Sequence, residues 1–206
     1  MNLGLMKRRA AQKYLPYDAE VEYLKVTGSG DAYFRFNFED NINYRKEFLY
    51  VASHTNNKYN FVAGTLSPTV FSLNSNGGNN VQINLGGTTT TNDLFRSLRN
   101  LKTTVTYNPK NTTNNVIIST PGQASRLPYK TPGSNTTSGV LQLFPNSATN
   151  AGIISIYYFK VYDENNTLIL DLTPVRKGNI GHIYDKISGQ LFDNIGTGNF
   201  VLGPDK

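Results

Sequence analysis

Residues 156–185 read IYYFKVYDENNTLILDLTPVRKGNIGHIYD. Side chains alternate faces along a strand with a period of two. On that rule Tyr157, Phe159 and Val161 point one way, and Ile156, Tyr158, Lys160 and Tyr162 the other. Both faces are largely apolar, as expected of a strand inside a sandwich. Asp163, Glu164, Asn165 and Asn166 break the run with short polar side chains that bond their own backbone and tolerate turn geometry. A return strand follows, with Leu168, Leu170 and Leu172 on one side and Ile169 and Asp171 on the other. Pro174 has no N–H to give a ladder, so it is expected to end that strand or to lie at a sheet edge. HIYDKISGQLFDN then joins two short apolar runs through Ser188 and Gly189, a second hairpin. The segment is a meander.

The same rhythm extends upstream. AEVEYLKVTG, DAYFRFNF, KEFLYVAS and KYNFVAGTL alternate from Tyr17 onward. Phe34, Phe36 and Phe38 line one face of the second run, opposite Tyr33, which marks a core strand. LNSNGGNNVQINLGGTTTTND reads as loop around a short strand at Val81, Ile83 and Leu85. TNDLFRSLRNLK, residues 91–102, predicts one short helix, capped by Asn92 or Asp93, with Leu94, Leu98 and Leu101 near helical spacing. Arg96, Arg99 and Lys102 would then form a basic, solvated face. TTVTYN and NVIIST predict a hairpin across PKNTTN. PGQASRLPYKTPGSNTTSG reads as a long loop, a length that compact domains usually reserve for function or disorder.

Composition agrees with an all-β reading. Of 206 residues, 38% are hydrophobic and 17% charged, a balance that fits a globular chain with a core. The 26 Asn and 21 Thr cluster between apolar runs and favour turns, caps and strand surfaces over helix interiors. With no cysteine, neither disulfides nor thiolate metal sites hold the fold, so core packing must. No run approaches the roughly 18 apolar residues of a membrane span.

The net charge of +6 is uneven. Lys7, Arg8, Arg9 and Lys13 supply +4 within the first thirteen residues, while residues 14–206 carry 16 basic and 14 acidic side chains. Residues 1–16 are therefore read as a basic arm and residues 17–206 as one nearly neutral domain. Such an arm is read either as docking on an acidic protein surface or on nucleic acid, or as a solvated tail. It lacks the interleaved aromatic residues on which single-strand binders stack bases, which favours the protein surface. Its charges follow a very short apolar start, the reverse of a secretory signal, so the chain is expected to be made and folded in a cytoplasm.

Little in the sequence points to catalysis. Asp18, Glu20 and Glu22 fall at a period of two and would share one strand face. Retaining glycosidases need two carboxyl groups roughly 5 to 5.5 Å apart. The flanking pattern D-A-E-V-E lacks the tryptophan-lined surroundings of such sites, and the triplet is read as a solvated edge. His54 and His182 have no partner at zinc-ligand spacing. DENN at 163–166 is read as a turn rather than a calcium loop. No Gly-rich phosphate loop precedes a helix, since GTGNF at 196–200 leads into a strand. The chain is expected to be non-enzymatic, with no cofactor and no metal. Sugar binding on β-sandwiches generally uses an aromatic platform with adjacent polar groups, and the best candidate of that kind is Tyr129 in the long loop, flanked by Arg126 and Lys130, as a glycan or protein contact.

Two segments resemble a known family. LPYDAEVEYLKVTGSGDAYF is similar to the opening strands of concanavalin A-like lectin or laminin G-like domains. IYYFKVYDENNTLILDLTPVRKGNIGHIYDKISGQLFDNIGTGNFVLGP resembles their end, with Tyr184, Asp185, Ser188, Gly189 and Phe192 in the pattern Y-D-x-x-S-G-x-x-F. The chain departs from the family at YFRFN, residues 33–37, where the pattern is Y-I-D-T-G. The resemblance implies an all-β, two-sheet antiparallel jelly-roll sandwich. Domains of this subtype are familiar from structural proteins of tailed bacteriophages of gut bacteria and from surface proteins of those bacteria; the reversed charge order at the amino terminus, unlike a secretory signal, favours the phage reading. On that basis the expected function is a virion structural protein, a head or tail fibre or decoration component. It would be attached to other virion proteins through Lys7, Arg8, Arg9 and Lys13 and present in several copies on the particle. The alternative is a carbohydrate-binding module for a host-surface glycan.

Overall fold

The computed structural model describes residues 15–27, 32–53, 60–65, 70–75, 81–92, 100–127, 131–133, 138–144 and 153–206. Among the described residues seventeen strands form two antiparallel sheets and no helix occurs. The larger sheet runs from β11 (Gln123–Leu127) through β10 (Val116–Thr120), β9 (Thr103–Tyr107) and β4 (Arg45–Ala52) to β13 (Ile153–Tyr162). It continues through β14 (Leu168–Lys177), β15 (Ile180–Asp185) and β16 (Leu191–Phe192). The short strands β1 (Ala19–Glu20), β2 (Leu24–Thr27) and β17 (Val201–Leu202) attach to it. The smaller sheet has the order β3 (Phe34–Asn41), β12 (Ser138–Leu143), β5 (Asn60–Gly64), β6 (Phe71–Ser75), β7 (Val81–Leu85) and β8 (Thr88–Asn92). The expected all-β jelly-roll sandwich is the fold observed.

Aromatic rings join the layers. Phe48 on β4 stacks on its ladder neighbour Phe159 on β13, with centroids 5.1 Å apart, and meets Phe71 of the other sheet edge-on at 6.2 Å. Phe71 in turn packs on Tyr107. At the far side Phe34 stacks on Phe200 at 4.7 Å and Phe36 meets Phe192 at 4.8 Å. Such pairs add about 0.5–1.5 kcal/mol beyond the area they bury, and they stabilise a core with no disulfide.

The large sheet departs from strict alternation at the seam between β13 and β4. Ile156 and Phe159, placed on opposite faces by period-two counting, are both buried. The register of β13 against β4 slips between Ile156 and Tyr158, so Tyr157 is an extra residue that resets the parity, as a β-bulge does. Ile154 and Ile156 face the core before it, Phe159 and Val161 after it. Pro174 lies in the interior of β14, neither at its end nor at an edge, opposite Ile183 of β15. Its carbonyl accepts from Val21 N at 3.1 Å. A strand residue's N and C=O point the same way, so the missing N–H falls on the side where β14 changes partner. There β13 has paired with β14 only as far as Phe159 opposite Leu172, and β1 takes over at Val175 and Arg176. The bulge and the proline mark the point at which two strands part.

Two other expectations change. The Asn- and Thr-rich stretch around Val81 is a three-stranded meander of β6, β7 and β8, because Thr suits a pleated surface as well as a loop. The first part of the long loop is strand: Gly122 (φ 80) turns the chain and β11 pairs back on β10. Of the helix expected over 91–102, Thr91 and Asn92 belong to β8 and Asn100 and Leu101 to a turn and bend. Residues 93–99 lie outside the described residues.

Candidate functional site

The three turns that follow β3, β9 and β13 gather at one end of the sandwich around a cleft of about 320 Å³. The β3–β4 turn contributes Asn43 and, at the start of β4, Arg45. The β9–β10 turn contributes Asn108, Pro109 and Lys110. Asp163, Glu164 and Asn166 come from the β13–β14 turn. These are the polar residues that also make tight turns possible, so the cleft follows from the connections of the fold.

Each wall is held by its own backbone contacts. Asp163 Oδ1 accepts from Asn165 N and Thr167 N, both at 2.8 Å, and Asn166 takes the left-handed conformation (φ 62) that closes this turn. Asn108 Oδ1 accepts from Lys110 N at 3.1 Å, and Asn111 Oδ1 from Thr113 N and Asn114 N. Contacts also cross the cleft. Arg45 Nε donates to Asn166 Oδ1 at 3.0 Å while its guanidinium lies 3.6 Å above the centre of the Tyr162 ring. Lys110 Nζ donates to the carbonyl of Glu164, and Asn43 Nδ2 reaches Glu164 Oε1 at 3.4 Å.

The β3–β4 wall rests on a buried ion pair. Lys46 Nζ lies 2.9 Å from Asp40 Oδ1 and donates to the carbonyls of Asn41 at 2.9 Å and Tyr44 at 3.1 Å. Both side chains are fully enclosed, with the rings of Phe71 and Tyr107 over the amine. Burial pushes the Asp40 carboxyl up and the Lys46 amine down, and their mutual attraction opposes both shifts. Lys46 therefore fixes the turn that presents Asn43 and Arg45.

The other candidates fall elsewhere. Glu20 pairs with Lys186 at 2.8 Å and Glu22 with Lys102 at 2.7 Å, while Asp18 Oδ2 accepts from Gly178 N at 2.7 Å and lies 4.0 Å from Arg176. Each carboxylate of this triplet is thus matched to its own partner on the sandwich. His182 is a buried residue of β15 whose Nδ1 lies 2.8 Å from Asp193 Oδ1. Among the described residues no group of three potential ligands could hold a metal ion, and no helix is long and apolar enough to cross a membrane. Arg126 lies on β11 opposite Ile117, so it belongs to a strand and not to a loop. Lys7, Arg8, Arg9, Lys13, His54, Tyr129 and Lys130 lie outside the described residues. The sequence pattern alone does not mark the cleft as a site, although DENN and PKNTTN both read as turns.

No protein-family description matches the sequence, and no curated protein matches it. Among solved structures, the crystal structure of a mutant of HCR/D aligns over 91% of this chain at 11% identity with a TM-score of 0.47. This chain spans 66% of the length of that structure.

Proposed function

We propose that this chain is a non-enzymatic structural protein of a bacteriophage particle, a lectin-like jelly roll attached through its basic amino-terminal segment and present in several copies. The observation that carries the proposal is the use made of the segment with the densest family resemblance. In Y-D-x-x-S-G-x-x-F, the Asp185 carboxylate accepts from Asp171 N, Ile187 N and Ser188 N at 2.9 to 3.1 Å. Gly189 supplies the positive φ of the turn, at 75°, and Phe192 packs against Phe36. Every member of the pattern with a visible role builds the sandwich. The engagement of Asp18, Glu20 and Glu22 with backbone or basic partners supports a non-catalytic reading.

Arm attachment is tested by deleting residues 1–13. The sandwich should keep its fold, because the first described contacts, Tyr17 against Tyr184 and Asp18 N to the Arg176 carbonyl, lie after the deletion. Incorporation into particles should be lost, and undiminished incorporation would exclude attachment by the arm. A second reading, recognition of a host-surface glycan, is favoured by the polar cleft.

A further inference from the structure

We propose that the cleft between the β3–β4, β9–β10 and β13–β14 turns binds a neutral saccharide one or two units long; the inference rests on the glycan-recognition reading. Its volume of about 320 Å³ lies at the lower end of the range for small-molecule sites, about 300–1,000 Å³. That suits a short sugar segment and not a long chain lying in a groove.

The lining chemistry selects the ligand. Amides, carboxylates and a guanidinium are planar groups with paired donors or acceptors, and vicinal sugar hydroxyls offer paired partners of the same spacing. The four charged side chains cancel: Arg45 and Lys110 against Asp163 and Glu164. An anion would meet the two carboxylates as well as the two basic groups, and a cation the reverse, so the lining favours neither charged class. A neutral polyol meets donors and acceptors without a repulsive contact. Pro109 adds an apolar face for the C–H side of a ring.

The site is also set before a ligand arrives. Asp163 is oriented by two backbone N–H groups through Oδ1, which leaves Oδ2 without a partner among the described residues. Among the described residues Glu164 Oε1 makes only the long 3.4 Å contact with Asn43, so it retains acceptor capacity. Arg45 is held flat on Tyr162, and Lys46 holds the turn beneath it. Preorganisation of this kind lowers the cost of ordering side chains on binding.

The test uses the full chain against an array of neutral gluco-, manno- and galacto-oligosaccharides together with galacturonate and hyaluronan fragments, followed by calorimetry on any hit. Glu164→Ala and Lys110→Ala alter exposed side chains, and circular dichroism confirms that each variant folds. The expected result is binding of a neutral sugar by the parent, weakened about tenfold or more in both variants, as loss of a hydrogen bond to a charged group implies, and unchanged in Tyr129→Ala. Binding that survives both cleft variants but disappears in Tyr129→Ala would keep glycan recognition and overturn this site. Binding of acidic fragments alone would overturn the ligand class. A parent that binds no sugar would overturn the site and the glycan reading together.

Discussion

Lys46 Nζ and Asp40 Oδ1 lie 2.9 Å apart with no solvent access to either side chain. The pair sits at the end of the aromatic core, on the inward faces of β3 and β4, one strand from each sheet, and it connects the interior to the turn that walls the cleft. Breaking a buried pair by removing one partner leaves a charge without compensation, at a cost of about 3–5 kcal/mol. Asp40→Asn should therefore lower stability by that order in urea unfolding. Replacing both partners, as Asp40→Leu with Lys46→Met, should cost less than Asp40→Asn alone, since no buried charge remains. A paired variant as unstable as the single one would show that the amine's bonds to Asn41 and Tyr44 outweigh the ion pair.

The bulge at Tyr157 makes a second prediction. Ile156→Ala should cost about 2–5 kcal/mol and Phe159→Ala about 3–5 kcal/mol, because both side chains leave cavities in one core. If Ile156→Ala melts like the parent, the residue faces solvent and the parity is not reset.

At the other end of the chain, Arg176 grips Asp205 with two hydrogen bonds of 2.7 Å. That hydrogen bonding holds the Asp205 carboxyl below the ordinary aspartate value. A carboxyl depressed in the folded state adds stability at pH values above its unfolded pKa, and the contribution is lost as pH falls through the folded pKa. The pair is exposed, so the effect is small and screened by salt. Carboxyl titration by NMR should find Asp205 below the ordinary range and restored to it in Arg176→Met. An ordinary value in the parent would remove the clamp.

The acidic triplet can be tested directly. Glu20→Gln and Glu22→Gln should leave any polysaccharide-degrading activity unchanged, because none is expected. Release of reducing ends from capsule or cell-wall glycans by the parent, lost in these variants, would establish a glycosidase.

How much of this could be read from the residues depends on how local the cause is. Alternation placed Phe34 and Phe36 correctly because β3 keeps its parity. Carried two and four residues further, the same count puts Phe38 and Asp40 on the inward face, and on β4 it puts Lys46 beside Phe48 and Tyr50. The buried pair was thus legible, although a lysine beside a turn reads first as solvated. The bulge was not legible, since an extra residue inside an unbroken apolar run leaves no compositional mark. Pro174 carried a true signal, a missing donor, but the position of that gap depends on β1, which is distant in sequence. The cleft's turns were each visible one by one. Their convergence is set by the order β9-β4-β13 in the sheet, which no local pattern encodes.

The proposed structural role is best tested by mass spectrometry of purified phage particles, searched for peptides of this chain. The account predicts peptides spanning residues 17–206 at a fixed, multi-copy ratio to the major head or tail proteins. Particles that are complete and infectious but contain no such peptides would contradict it.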